Sequence, residues 1–118
     1  MRTGVVEAAF RVHRALGPGL LESVYEACVC HELRRMGVPF EHQVYWPVVY
    51  DGVKLDGGLR LDLWIDRKVV VELKAIEDLQ SLHEAQLLTY MKLTGSRVGL
   101  LINFNVPQLK DGLRRMVL

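Results

Sequence analysis

Leu59-Arg60-Leu61-Asp62-Leu63-Trp64-Ile65-Asp66-Arg67-Lys68-Val69-Val70-Val71-Glu72-Leu73-Lys74-Ala75 is the stretch whose reading decides the fold. Residues 59–65 alternate with the period of a strand, Asp66-Arg67-Lys68 reads as a turn, and the β-branched run from Val69 returns. The pattern predicts a β-hairpin. With a three-residue loop, antiparallel pairing sets Ile65 opposite Val69, Asp62 opposite Glu72 and Arg60 opposite Lys74. Opposed residues share a face, with Cβ atoms about 5 Å apart, so the two carboxylates repel unless a proton or a cation lies between them. A divalent metal resolves that conflict, and Lys74, two residues beyond Glu72, points the same way. A two-residue loop would slip the register by one and send Asp62 to the other face.

Glu-x-Lys on a strand is ordinarily a solvated pair worth roughly 0–1 kcal/mol. Here its neighbours are Val69, Val70, Val71, Leu73 and Ala75, a nearly unbroken apolar run that suits a central strand covered on both sides. Charges in such a place are rarely left unpaired.

Working outward, the 118 residues, half of them apolar and a quarter charged, suit one globular domain, residues 1–118. No secretory pattern opens the chain and no apolar run approaches the roughly 20 residues that span a bilayer, so a soluble, cytoplasmic protein without a membrane partner is expected. Cys28 and Cys30, two apart in an expected helix, point away from each other and suit neither a disulfide nor a shared metal. A net charge of +1 leaves nucleic-acid contact to local patches.

Thr3 is a candidate cap for a first helix with apolar positions Val5, Val6, Ala9, Phe10, Val12 and Leu16, stopped by Gly17-Pro18-Gly19. A second helix is expected from Leu20 to Met36, with Leu21, Val24, Cys28, Leu33 and Met36 as candidate core residues. Phe40 to Tyr50 reads as a strand, which Pro47 confines to an edge or a bulge, before a turn at Asp51-Gly52. Ser81-Leu82-His83-Glu84 has the form of a capping box opening a third helix to about Leu93, with Gly95 as its stop. Arg97 to Phe104 reads as a buried strand and Gly112 to Leu118 as a short one. This order predicts an α/β (α+β) fold, a mixed sheet flanked by helices.

Gly19-Leu20-Leu21-Glu22-Ser23-Val24-Tyr25 resembles the signature of the GxxExxY proteins, a bacterial and archaeal family in the PD-(D/E)XK nuclease superfamily. The likeness extends to Asp62, Glu72-Leu73-Lys74, the segment from His83 to Tyr90, and Gly99-Leu100-Leu101-Ile102-Asn103-Phe104. It implies a restriction-endonuclease-like core and a nuclease that hydrolyses phosphodiester bonds, of DNA in preference to RNA. It also implies Mg²⁺ or Mn²⁺ held by Asp62, Glu72 and the backbone carbonyl of Leu73, with Glu22 as a further carboxylate, directly or through water. Lys74 would position or deprotonate the attacking water and offset transition-state charge, Gln86 with Tyr90 would orient the substrate or the site, and Tyr25 would help line it. Leu61 stands where the superfamily motif has proline.

Each of these residues also has a plainer role available. Glu22 suits the helix dipole, by about 0.3–1 kcal/mol, and Tyr25 suits the core. Glu84 fits the helix cap. His83, on one helical stripe with Gln86 and Tyr90, is expected to line the site rather than ligate a metal. Arg34-Arg35 and Arg114-Arg115 suit either phosphate contact or solvated surface. Two readings stand beside the nuclease. One is a noncatalytic nucleic-acid- or protein-binding module retaining the fold, and the other is an oligomerisation domain with a buried ion network. A homodimer would enlarge the gripping surface of so small a core.

Overall fold

A computed structural model describes residues 4–118; the cap expected at Thr3 lies outside the described residues. The chain forms α1 (Val5–Leu16), α2 (Glu22–Arg35), β1 (Phe40–Tyr50), β2 (Val53–Ile65), β3 (Val69–Lys74), α3 (Ser81–Thr94), β4 (Val98–Asn103), a 3-10 turn (Leu109–Gly112) and β5 (Leu113–Val117). The strands make one mixed sheet in the order β1-β2-β3-β4-β5, with only β3 and β4 parallel. Their connection runs through α3, as a parallel pair requires.

The hairpin has the three-residue loop and pairs Ile65 with Val69, Trp64 with Val70 and Leu63 with Val71. Asp66 and Arg67 take left-handed backbone in the turn, closed by Lys68 N–H donating to Ile65 O at 2.9 Å. β3 lies at the sheet centre, and Val69 through Leu73 are buried. On one face α1 and α2 cover a core of Val5, Ala9, Val29, Leu33, Leu63, Val71 and Ile102; on the other α3 covers Leu61, Trp64, Val70 and Leu101 with Leu87 and Met91. Gly99 permits the second contact, since a Cβ there would sit 2.5 Å from Met91 Sδ.

Several expectations are corrected. Leu59, Leu61, Leu63 and Ile65 do not share one face: Leu63 and Ile65 pack under α1 and α2, but Leu59 and Leu61 pack under α3. The alternation therefore changes phase at Asp62. Leu16, Leu21 and Val24 are exposed; Leu33 is buried as expected, and Tyr25, Val29 and Cys30 complete the core side of α2. The second helix starts at Glu22 because Leu21 is extended (ψ 148°). The third helix is capped one residue earlier than Ser81: Gln80 N–H donates to His83 Nδ1 at 2.8 Å, in the place assigned to Glu84. Pro47 lies in a register break between Trp46 and Val48 on the edge strand.

Candidate active site

Beyond Leu63 and Val71 the main-chain ladder between β2 and β3 stops, just before Asp62 and Glu72. Their carboxylates replace the missing ladder bonds. Asp62 N–H donates to Glu72 Oε2 at 3.1 Å, and Leu73 N–H donates to Asp62 Oδ2 at 2.9 Å. Each side chain is about 5 % exposed. The arrangement follows from sequence: both acids sit inside apolar strands, and at the point of divergence each can satisfy a donor that the partner strand no longer serves.

One depression of about 370 Å³ is bordered by Glu22 from α2, Asp62 from β2, Glu72 and Lys74 from β3, and Gln86 and Tyr90 from α3. Its remaining wall comes from Tyr45 and the Gly57-Gly58-Leu59-Arg60 segment. Gln86 Nε2 donates to Tyr90 Oη at 2.9 Å. The end of β3 is clamped: Phe104 N–H donates to Lys74 O at 2.9 Å, while Asn103 joins both main-chain groups of Ile76 through Oδ1 (3.1 Å) and Nδ2 (2.9 Å). Lys74 thus leaves a strand whose exit is fixed on both sides.

Burial raises the pKa of Asp62, against the opposing Leu73 hydrogen bond. Burial, then the charge of Asp62, pushes Glu72 up to about 8, with Lys74 pulling the other way. Glu22 is raised by burial and by Asp62, and Tyr90 by burial and by Glu72. Burial is the first cause of every one of these rises, and a cation nearby would favour the charged forms of the acids.

The donor set suits a hard cation. Each buried carboxylate spends one oxygen on a main-chain N–H and keeps the other. Among the described residues no three His, Cys, Asp or Glu side chains converge as a closed metal cage. Two carboxylates with water and phosphate completing the shell is how Mg²⁺ is commonly held.

Two residues expected to line the site do not. Tyr25 is fully buried, stacked on Phe104 at 4.5 Å, with its hydroxyl donating to Gly17 O at 2.6 Å and accepting from Leu20 N–H at 3.1 Å. It fixes the turn ahead of Glu22 because an aromatic body in the core still needs a partner for its hydroxyl. His83 is occupied by its helix cap. Arg114 reaches only the neighbouring carbonyls of Asp111 and Leu113, and Arg34 stacks over Phe40.

A family model described as the PD-(D/E)XK nuclease superfamily matches residues 1–116. The chain belongs to the PD-(D/E)XK nuclease superfamily. Its mixed five-stranded sheet with three helices agrees with the restriction-endonuclease-like fold of that superfamily. No curated protein and no solved structure gives a significant match. Among the described residues no helix is long and apolar enough to cross a membrane.

Three further residues beside this depression carry no mark in the sequence pattern that would single them out. Arg60 borders the depression, and Glu26 adds its charge to Asp62. Gln43 falls opposite Asp62 in the β1–β2 register, between the pairs His42–Leu63 and Val44–Leu61, yet is itself unpaired with φ +52°. It is the one non-glycine left-handed residue outside a turn among the described residues, a conformation costing on the order of 1–2 kcal/mol. Its side chain reaches Glu26, with Nε2 2.7 Å from both carboxylate oxygens. Glu22 and Glu26 stand at helical spacing, and nothing in the residue string marks Gln43.

Proposed function

We propose that this protein is a metal-dependent nuclease of the GxxExxY type, cytoplasmic, acting on DNA and using Mg²⁺ or Mn²⁺. The reading is carried by one observation: two buried, interlocked carboxylates, Asp62 and Glu72, share a depression with Lys74. Asp62 and Glu72 would hold the ion, with the Leu73 carbonyl and Glu22, directly or through water, as further oxygen donors. When bound, such an ion neutralises phosphate charge and lowers the pKa of a water. Lys74 orients the attacking water and offsets negative charge growing on the phosphate oxygens, in a site where burial strengthens that attraction. Gln86 and Tyr90, already hydrogen-bonded to each other, present a polar edge from α3 that steadies the substrate. A homodimer would extend the grip on a duplex.

The near-neutral charge of +1 and the small size of the chain, 118 residues, favour a second reading, a noncatalytic nucleic-acid- or protein-binding module. One experiment separates them. Purified protein is incubated with duplex and single-stranded DNA in Mg²⁺, Mn²⁺ or EDTA, beside Glu72→Gln and Lys74→Met. Metal-dependent cleavage that both variants lose supports the nuclease. Binding without cleavage by wild type supports the module, and cleavage unchanged in the variants overturns the assignment of this site.

A further inference from the structure

A second depression of about 610 Å³ opens on the other side of Asp62, between α2 and the β1–β2 strands, and shares Glu22, Arg60 and Asp62 with the first. The two adjoin at those three residues, and the second forms a trough beside the first. Its α2 wall carries Glu22, Glu26, Cys30 and Arg34 at intervals of four, one stripe of the helix about 18 Å long. Consecutive strand residues ordinarily point to opposite faces, yet His42 and Gln43 both line this trough. The left-handed backbone at Gln43 is what turns both side chains the same way.

That distortion interrupts the β1–β2 ladder beside Asp62 and brings a neutral amide onto Glu26. Gln43 Nε2 lies 2.7 Å from both oxygens of Glu26, so one NH₂ group spans the carboxylate. An amino-bearing nucleobase offers the same donor, and guanine adds a ring N–H beside it, a pair of parallel donors matched to the two oxygens. The displaced Gln43 amide carries both an acceptor and a donor for the same base. His42, half exposed, gives a ring at the trough wall, and Arg34 and Arg60 give cations for the flanking phosphates.

We infer that the trough formed by Glu26, Gln43 and His42 is a nucleobase subsite next to the catalytic depression, binding a single-stranded nucleotide and preferring guanine, with the Gln43 amide as its placeholder. This rests on the nuclease reading above. A carboxylate and an amide that read a base edge discriminate by about tenfold or more.

The test uses the full chain in Ca²⁺ and labelled octamers: oligothymidylate, alternating guanine–thymine, and the latter with hypoxanthine replacing guanine. Fluorescence anisotropy should show the guanine octamer binding about tenfold tighter than oligothymidylate, with hypoxanthine, which lacks the amino group, in between. In Glu26→Gln the guanine-to-thymine affinity ratio should fall to about one. The ratio is decisive because removing a negative charge strengthens binding of every polyanion. Gln43→Gly, whose glycine accepts the left-handed backbone, keeps the fold and should also lower the ratio. Equal affinities in wild type, or a ratio unmoved by both variants, overturn the subsite. Duplex cleavage in Mn²⁺, run in parallel, separates the failures: cleavage with equal or absent octamer binding removes the subsite alone, whereas neither cleavage nor binding removes the nuclease reading as well.

Discussion

Asp62 and Glu72 are locked by a reciprocal exchange, the N–H of Asp62 donating to Glu72 Oε2 at 3.1 Å and the N–H after Glu72, that of Leu73, donating to Asp62 Oδ2 at 2.9 Å. Neither acid can leave without stranding a buried main-chain donor. Burial of Glu72 and the nearby charge of Asp62 raise its pKa together, a conflict that a proton or a cation would relieve.

The amide of Glu72→Gln can still accept from Asp62 N–H while the charge conflict disappears. In EDTA at pH 8 its melting temperature should exceed that of wild type by several degrees, while metal-dependent cleavage falls by about 100-fold or more. Asp62→Ala leaves Leu73 N–H without a partner and should destabilise by about 1–3 kcal/mol in urea denaturation. A Glu72→Gln protein less stable than wild type would show that the repulsion is minor.

The raised pKa of Glu72 predicts a pH dependence with a definite sign. Between its ordinary value of 4.5 and about 8 the folded protein holds a proton that the unfolded chain releases, so metal-free stability falls as pH rises through that window and levels off above it. Asp62, also raised, adds in the same direction. Melting in EDTA should occur at lower temperature at pH 8 than at pH 5, Mg²⁺ should stabilise more at pH 8, and Glu72→Gln should flatten the profile.

Lys74 opposes the rise at Glu22, Asp62 and Glu72. Lys74→Met keeps the aliphatic stem and should retain the fold at pH 5, melt earlier than wild type at pH 8, and lose about 100-fold or more in cleavage. Unchanged cleavage with the pH-dependent loss would assign Lys74 to the ion network alone.

Tyr25→Phe removes a hydroxyl that joins Gly17 O and Leu20 N–H. It should cost about 1–3 kcal/mol by chemical denaturation, with cleavage well below the melting range reduced less than in Glu22→Gln. A loss equal to that of Glu22→Gln would place Tyr25 in the site after all.

Local chemistry made much of this fold legible. The polar triplet Asp66-Arg67-Lys68 between apolar runs specified loop length and register, Pro47 marked the irregular edge, and Gly17 and Gly95 ended their helices. Glu72 and Lys74 were bound to share a face by strand period alone. The cap of α3 was missed because Gln80 and Ser81 are both polar, and which becomes the last extended residue depends on the loop that Asn103 ties down at Ile76.

The residue string by itself determined the order of elements and the hairpin register from Ile65–Val69 to Leu63–Val71, because these follow from side-chain period and turn chemistry within a few residues. Only the tertiary structure decided that the leucines flanking Asp62 serve different cores, that Tyr25 and His83 are structural, and that Gln43 stands beside Glu26. Those outcomes depend on where β2 parts from β3 and which helix covers each face. Residues far apart in the chain set that packing, so no local pattern encodes it.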